Sequence, residues 1–257
     1  MGAAGRPFKL DIKDRFLMLL IYYRLYITYT LADGFLFDLD QSNIYSRDIQ
    51  KIEKLIRQCL PIPQKIYNIT KRLKTLEEVE RYFPAGFLAF IDCTGQQIPR
   101  PVDKNRRKIF YSGKKKKHTI KNQITVNKRG YILHKVGYKK GRRGIYYDIY
   151  KKDHPFTPKQ VVNIFDLGYL VGVEKDFPRQ TSSIPKRKKR KSIGLSQEEI
   201  NFNYAHSKKR IVIELVISRL KKYRILSDVF KNRLEKYNKV SDIVSGLVNY
   251  RILNYHN

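Results

Sequence analysis

Acidic residues and cysteines are scarce in this 257-residue chain, and each shortage narrows what the protein can be. Cys59 and Cys93 are its two cysteines, far apart and outside any CxxC pair. A zinc site built on them is therefore not expected, and a reducing compartment is. An unbroken apolar run of membrane length is also missing. The longest candidate, Phe16 to Leu39, is interrupted by Arg24, Asp33 and Asp38 and reads as buried helices. The opening MGAAGRPFKLDIKD lacks the apolar centre of a secretory signal, so a cytoplasmic location is expected. No internal repeat is present. Asp and Glu number 23 against 54 Lys and Arg, a net charge of +31. That field concentrates nucleic acid or anionic membrane, and its self-repulsion argues against a role in solubility alone. A hydrophobic content of 42% supplies a real core and excludes a disordered basic chain.

Residues 1–80 are expected to form an all-α unit. Phe16, Leu19, Leu20, Tyr23 and Ile27 recur at helical spacing, as do Ile44, Ile49, Ile52, Leu55 and Ile56. Between the runs lies ADGFLFDLDQSN, where Gly34 offers a break and Asp40 or Ser42 a cap. Two readings fit this segment: an ordinary helical bundle, or a helix-turn-helix that presents Ser42, Asn43, Ser46 and Arg47 to base edges. Pro61 and Pro63 end the second helix, and 64–80 read as a polar helical connector.

Residues 81–257 change to a strand-rich texture. Phe87 to Ile91 and Val161 to Phe165 are continuous apolar runs, as expected for strands covered on both faces. Thr119 to Val126 alternates, Asn127 to Gly130 suits a turn, and Tyr131 to Tyr138 suits its hairpin partner. A helix over Ile145 to Lys152 separates these from the last strand, and helices over 204–223 and 228–254 end the chain. The order predicts an α/β fold, a mixed sheet flanked by helices. Residues 174–203, with Pro178, Pro185 and the run KRKKRK, are expected to be a mobile basic segment ordered by its partner.

Asp92 and Asp166 each follow a buried run. On neighbouring strands they would emerge together, and close carboxylates either shift their ionisation or share a cation. Hard oxygen donors suit Mg²⁺ or Mn²⁺, and two such ions serve phosphodiester displacement. A strand-capping role is the plainer alternative for either residue. Arg210, Glu214 and Lys221 stand at i, i+4 and i+11, on one face of a helix that is otherwise largely apolar. A solvated ion-paired face would give the same pattern. Lys114, Lys115, Lys116, Lys117 and the 186–191 run read as phosphate contacts or as a solvated loop. His118 and His206 read as hydrogen-bonding groups near the site.

In combination, IDCTGQQIPRP with Asp92, FYSGKKKKHTIKNQ, FDLGYLVG with Asp166, HSKKRIVIELVISRLKKYRIL with Glu214 and FKNRLEKYNKVSDIVSGLVNYRI resemble the insertion-sequence transposases of the DDE superfamily, in the branch that includes Harbinger-type elements. The resemblance implies a ribonuclease-H-like catalytic domain preceded by a helix-turn-helix domain. It implies Asp92, Asp166 and Glu214 as a metal-binding catalytic triad, and Arg210 and Lys221 as the cations of the family's Arg-x₃-Glu-x₆-Lys signature. It also implies cleavage of double-stranded DNA at transposon ends, joining of the freed 3′-hydroxyl to target DNA, and a dimer or larger synaptic complex. Two positions depart from the family pattern. Tyr147 stands before Asp148 where a histidine is usual, so neither is given a role, and Val171 replaces a tighter glycine-containing turn. An inactive DNA-binding derivative and a nuclease of the same fold are the alternative functions.

Overall fold

The computed structural model describes residues 10–32, 42–63, 73, 75–84, 86–141, 145–153, 155, 157–169, 172–188 and 194–255. It opens with helices α1 (Ile12–Leu25), α2 (Tyr29–Ala32) and α3 (Ser42–Cys59). Asp11 caps α1 by accepting from the Asp14 N–H, and α1 stops at Tyr26, in the left-handed region at φ 52°. The buried face of α1 is Met18, Leu19, Tyr22 and Tyr23, with Phe16 at its exposed margin, a slight rotation from the expected stripe. Helix α3 buries Tyr45, Ile49, Ile52 and Ile56, while Leu55 lies outside. The expected turn over 33–41, most of the connector at 64–72 and 74, residues 189–191 of the basic run, and Val171 lie outside the described residues. A capping box between Thr75 and Glu78 starts α4 (Leu76–Tyr82).

The remaining elements are β1 (Leu88–Gln97), α5 (Lys104–Phe110), β2 (Tyr111–Ser112), β3 (Lys117–Asn127), β4 (Ile132–Lys135), β5 (Lys139–Lys140), α6 (Ile145–Asp153), β6 (Val162–Ile164), α7 (Val173–Asp176), β7 (Thr181–Ser183), α8 (Gln197–Lys221), α9 (Arg224–Ser227) and α10 (Tyr237–Tyr255). Strand β3 organises the sheet, pairing antiparallel with β1, β2, β4 and β5. The β3–β4 turn uses Gly130 at φ +82°, where a side chain would be strained. Strand β1 pairs parallel with β6, and β6 parallel with β7. The expected mixed sheet is therefore present.

Three expectations are corrected. Strand β1 continues past Asp92 to Gln97, because Asp92 to Gln97 keep their ladder with β3. Residues 174–203 supply the end of α7, the sheet strand β7 and the start of α8, since the backbone of 181–183 pairs with β6. Helix α10 begins at Tyr237, after α9 and a short 3₁₀ turn, and not near 228.

Alternation along β1 divides the core. Phe90 faces a cluster with Ile120, Ile124 and Val126 of β3, Ile213 and Val216 of α8, residues of α10, and the buried tyrosines of α1 and α3. Ala89 and Ile91 face the other cluster, with Tyr150, Phe165 and Tyr169. The first cluster has no break between the N-terminal helices and the sheet. Glu53 of α3 accepts from the Tyr23 hydroxyl at 2.8 Å and pairs with Lys239 of α10 at 2.8 Å.

Candidate active site

Strand register brings two carboxylates together. Phe90 pairs with Ile164 across β1 and β6, and Asp92 and Asp166 each lie two residues further on. Asp92 shares the strand face of Phe90, which α8 covers. Phe165 leads to Asp166, whose carbonyl accepts from the Tyr169 N–H at 3.0 Å and so starts a 3₁₀ turn.

Helix α8 is positioned over this pair. Ser196 and Glu199 form a capping box at its start. One turn before Arg210, the buried His206 ring nitrogen lies 3.1 Å from the Ser183 carbonyl of β7. Ile213, Val216 and Leu220 bury the same side of the helix. Arg210 is thereby aimed between the acids. Its Nη2 donates to Asp92 Oδ2 at 2.8 Å, and its Nη1 donates to Asp166 Oδ1 at 3.1 Å. Side-chain exposures are 11% for Arg210, 18% for Asp92 and 42% for Asp166, so the contact with Asp92 is the more protected. The Nε of Arg210 is buried with no hydrogen-bond partner among the described residues.

Burial pushes the Asp92 carboxyl up to about 6. Arg210 and the Cys93 N–H, which donates to Asp92 Oδ1 at 2.6 Å, pull it down, while Asp166 and Glu214 push it further up. Ionising Asp92 here is costly without cationic help.

Comparison with known proteins gives the family. A family model described as the helix-turn-helix of DDE superfamily endonuclease matches residues 8–62, and one described as DDE superfamily endonuclease matches residues 91–249. The chain belongs to the DDE superfamily of endonucleases. This endonuclease is also similar to the probable transposase for insertion sequence element IS702 of Microchaete diplosiphon. The two are 31% identical over 250 residues, covering 96% of this chain and 83% of that protein. No solved structure matches. Among the described residues, no helix is long and apolar enough to cross a membrane.

The endonuclease brings only part of the expected triad into contact. Glu214, one turn beyond Arg210, is exposed and reaches Asp92 through its charge alone. Among the described residues, no three His, Cys, Asp or Glu side chains are grouped closely enough to hold a metal ion. The donor chemistry still fits one. Asp92 and Asp166 converge on a single cation with hard oxygen atoms, and Glu214 is close enough to perturb Asp92. Arg210, expected to meet phosphate, instead spans the two aspartates.

Lys114, Lys115 and Lys221 line one cavity beside this site. Lys116 adopts φ 50° in the β2–β3 turn, and Lys117 and His118 begin β3, with His118 edge-on to Tyr111. Ser42 and Asn43 begin α3, with side chains outside the described residues. Ser46 accepts from Gln50 at 3.4 Å, and Arg47 is exposed. Tyr147 donates to Asp176 and so ties α6 to α7, while Asp148 is exposed. Sequence reasoning missed Lys121, Gln123, Tyr146 and Tyr169. Tyr169 lies between Cys93 (3.2 Å) and Gln123 (3.2 Å), and Lys121 sits 4.1 Å above the Tyr146 ring. A signal existed: in β3 the positions alternating with Ile120 and Ile124 are Thr119, Lys121, Gln123 and Thr125, a polar face that is nevertheless buried.

Proposed function

We propose that this endonuclease is the transposase of an insertion sequence in the Harbinger-like branch, cutting double-stranded DNA at the element's ends and joining the freed ends to target DNA. Residues 1–80 form its helix-turn-helix domain, and 81–257 a ribonuclease-H-like catalytic domain. The convergence of Asp92 and Asp166 from adjacent parallel strands is the observation that carries this reading.

Asp92, Asp166 and Glu214 are the residues that would hold Mg²⁺ or Mn²⁺, two ions per site. Bound there, the ions supply Lewis-acid stabilisation and a more acidic water or hydroxyl. The chain's own groups prepare the site. The Cys93 N–H fixes one oxygen of Asp92, and Arg210 offsets the repulsion between the acids while α8 holds it in place. Its planar fork also suits a phosphate, so an arriving DNA strand can take over part of its bonding. In cleavage, a water oxygen attacks phosphorus and the bond to O3′ breaks, leaving a 3′-hydroxyl and a 5′-phosphate. In joining, that 3′-hydroxyl attacks a target phosphorus and expels a 3′-oxygen. Lys114 to Lys117, His118 and Lys221 hold DNA near the site, and Ser42, Asn43, Ser46 and Arg47 at the start of α3 meet the end sequence. Two ends acting together call for a homodimer or larger synaptic complex, associated with DNA in the cytoplasm.

The test is Asp92→Ala with a labelled element end and Mg²⁺. Cleavage should disappear while end binding stays within a few-fold, and surviving cleavage refutes the assignment. Strand transfer from pre-cut ends by the native protein separates a transposase from a nuclease of the same fold.

A further inference from the structure

A cavity of about 640 Å³ opens beside the acid pair, between β1, the β2–β3 turn, β3, α6 and α8. Four lysines line it, Lys114, Lys115, Lys121 and Lys221, and no described lining residue is acidic. We infer that this cavity seats the 5′-phosphorylated end of a DNA strand, the second product of cleavage. The inference rests on the proposed function and adds a product site to it.

The distribution of charge supports a terminal phosphate. Lysines that follow a duplex backbone spread along a line and meet one charge per phosphate. Here four ammonium-bearing side chains surround one space. A terminal phosphate monoester carries about −1.5 to −2 charges at neutral pH and exposes three acceptor oxygens, so it gains more from such a cluster than a diester does. The walls are built to keep the lysines in place. Lys115 donates to the Gly95 carbonyl at 3.3 Å, and a Cβ at Gly95 would meet its ammonium at 3.4 Å. Lys121 is 8% exposed and held over Tyr146. Burial lowers the pKa of both, and Lys115 is lowered further by Lys221, Lys114 and Lys117. A dianion relieves that mutual repulsion.

The position also fits. Cys93 and Thr94, which line the cavity, directly follow Asp92 in β1. The Tyr146 hydroxyl on the cavity wall is pushed up to about 12, by burial first and then by Cys93, Asp92 and Asp166. The cavity therefore begins where the bond to O3′ would break.

The full-length protein should be titrated by fluorescence anisotropy in EDTA with two duplexes identical except for a 5′-phosphate or a 5′-hydroxyl. The 5′-phosphate duplex should bind about tenfold more tightly, the effect of one strong charge-assisted contact. Lys115→Gln and Lys121→Gln should each reduce the ratio of the two affinities to about twofold or less, whatever either change does to binding of the 5′-hydroxyl duplex. Lys121 is buried, so its variant is checked by thermal melting, and the exposed Lys115 decides if it fails to fold. Equal affinity of the native protein for both duplexes, or a preference unchanged in the folded variants, overturns the site. The assay needs no metal and no turnover. Loss of the preference while Asp92→Ala still abolishes cleavage removes only this cavity, whereas cleavage surviving Asp92→Ala removes the proposed function.

Discussion

The two ends of one face of α8 hold opposite electrostatic arrangements. At Arg210 a single guanidinium is shared by two carboxylates. Eleven residues on, about 16 Å along the helix, Lys221 joins three other lysines round a cavity without a described acid. A net charge of +31 averages over this contrast. The acid end suits small hard cations, and the lysine end suits the polyanion. Placing both on one rigid helix would fix where a phosphate chain lies relative to the carboxylates proposed to hold the ions.

The contrast should break most severely at the acid end. Asp166→Ala should lower cleavage about a thousandfold or more, since metal assistance supplies several kcal/mol to such a step. Lys221→Gln should weaken DNA binding yet leave the rate at saturating DNA within a few-fold. If the two variants behave alike, the ends of the helix are not functionally distinct.

Stability is expected to follow the same division. Arg210→Gln leaves Asp92 buried without its cation, at a cost of about 3 kcal/mol, with little added from the half-exposed Asp166. The melting temperature should fall by roughly 6–10 °C. An unchanged melt would show that the bridge contributes nothing in solution.

A smaller effect is expected at His206, which ties α8 to β7. Burial lowers its pKa below the ordinary 6.5, against the Ser183 carbonyl, which raises it; the nearby Arg210 and Lys209 also lower it, and Asp166 raises it. The folded state therefore binds this proton less well than the unfolded chain. Its contribution to stability is complete above pH 6.5 and is lost as pH falls through the lowered folded value. His206→Gln should flatten the acid side of the stability profile over that window, as melting temperatures across pH 5 to 8 would reveal.

The smallest effect belongs to the exposed turn. Lys114→Gln should reduce the slope of log affinity against log salt by about 1, and do so equally for element ends and random DNA. A change confined to element ends would assign Lys114 to sequence reading.

Much of this architecture was legible in the chain. The runs Phe87–Ile91 and Val161–Phe165 are the core of two adjacent strands because the sheet is covered on both faces, and the turn at Asn127–Gly130 is where its residue types put it. The extent of β1 was not legible, because Cys93 to Gln97 is polar and gains its order from β3 across the sheet. Strand β7 was hidden for the same reason, since Thr181–Ser183 carries no apolar pattern and is ordered by its backbone ladder with β6. Helical spacing put Arg210 and Glu214 on one face, yet rotation of the helix aims Arg210 at the acids and leaves Glu214 at the rim. Such a rotation depends on how His206, Ile213 and Leu220 pack, which local periodicity does not specify.

The shared core of the N-terminal helices has a mechanical consequence. The Tyr26 hydroxyl accepts from the backbone N–H groups of Lys231 and Asn232, and Glu53 joins α1, α3 and α10 through Tyr23 and Lys239. Swinging α3 away from the sheet would uncover these tyrosines and strand a buried glutamate. The helix proposed to meet the bases and the strand that carries Asp92 thus turn as one piece. The packing acts as a ruler, and half a turn of extra duplex between a bound sequence and its scission point would carry the bond out of phase with the carboxylates.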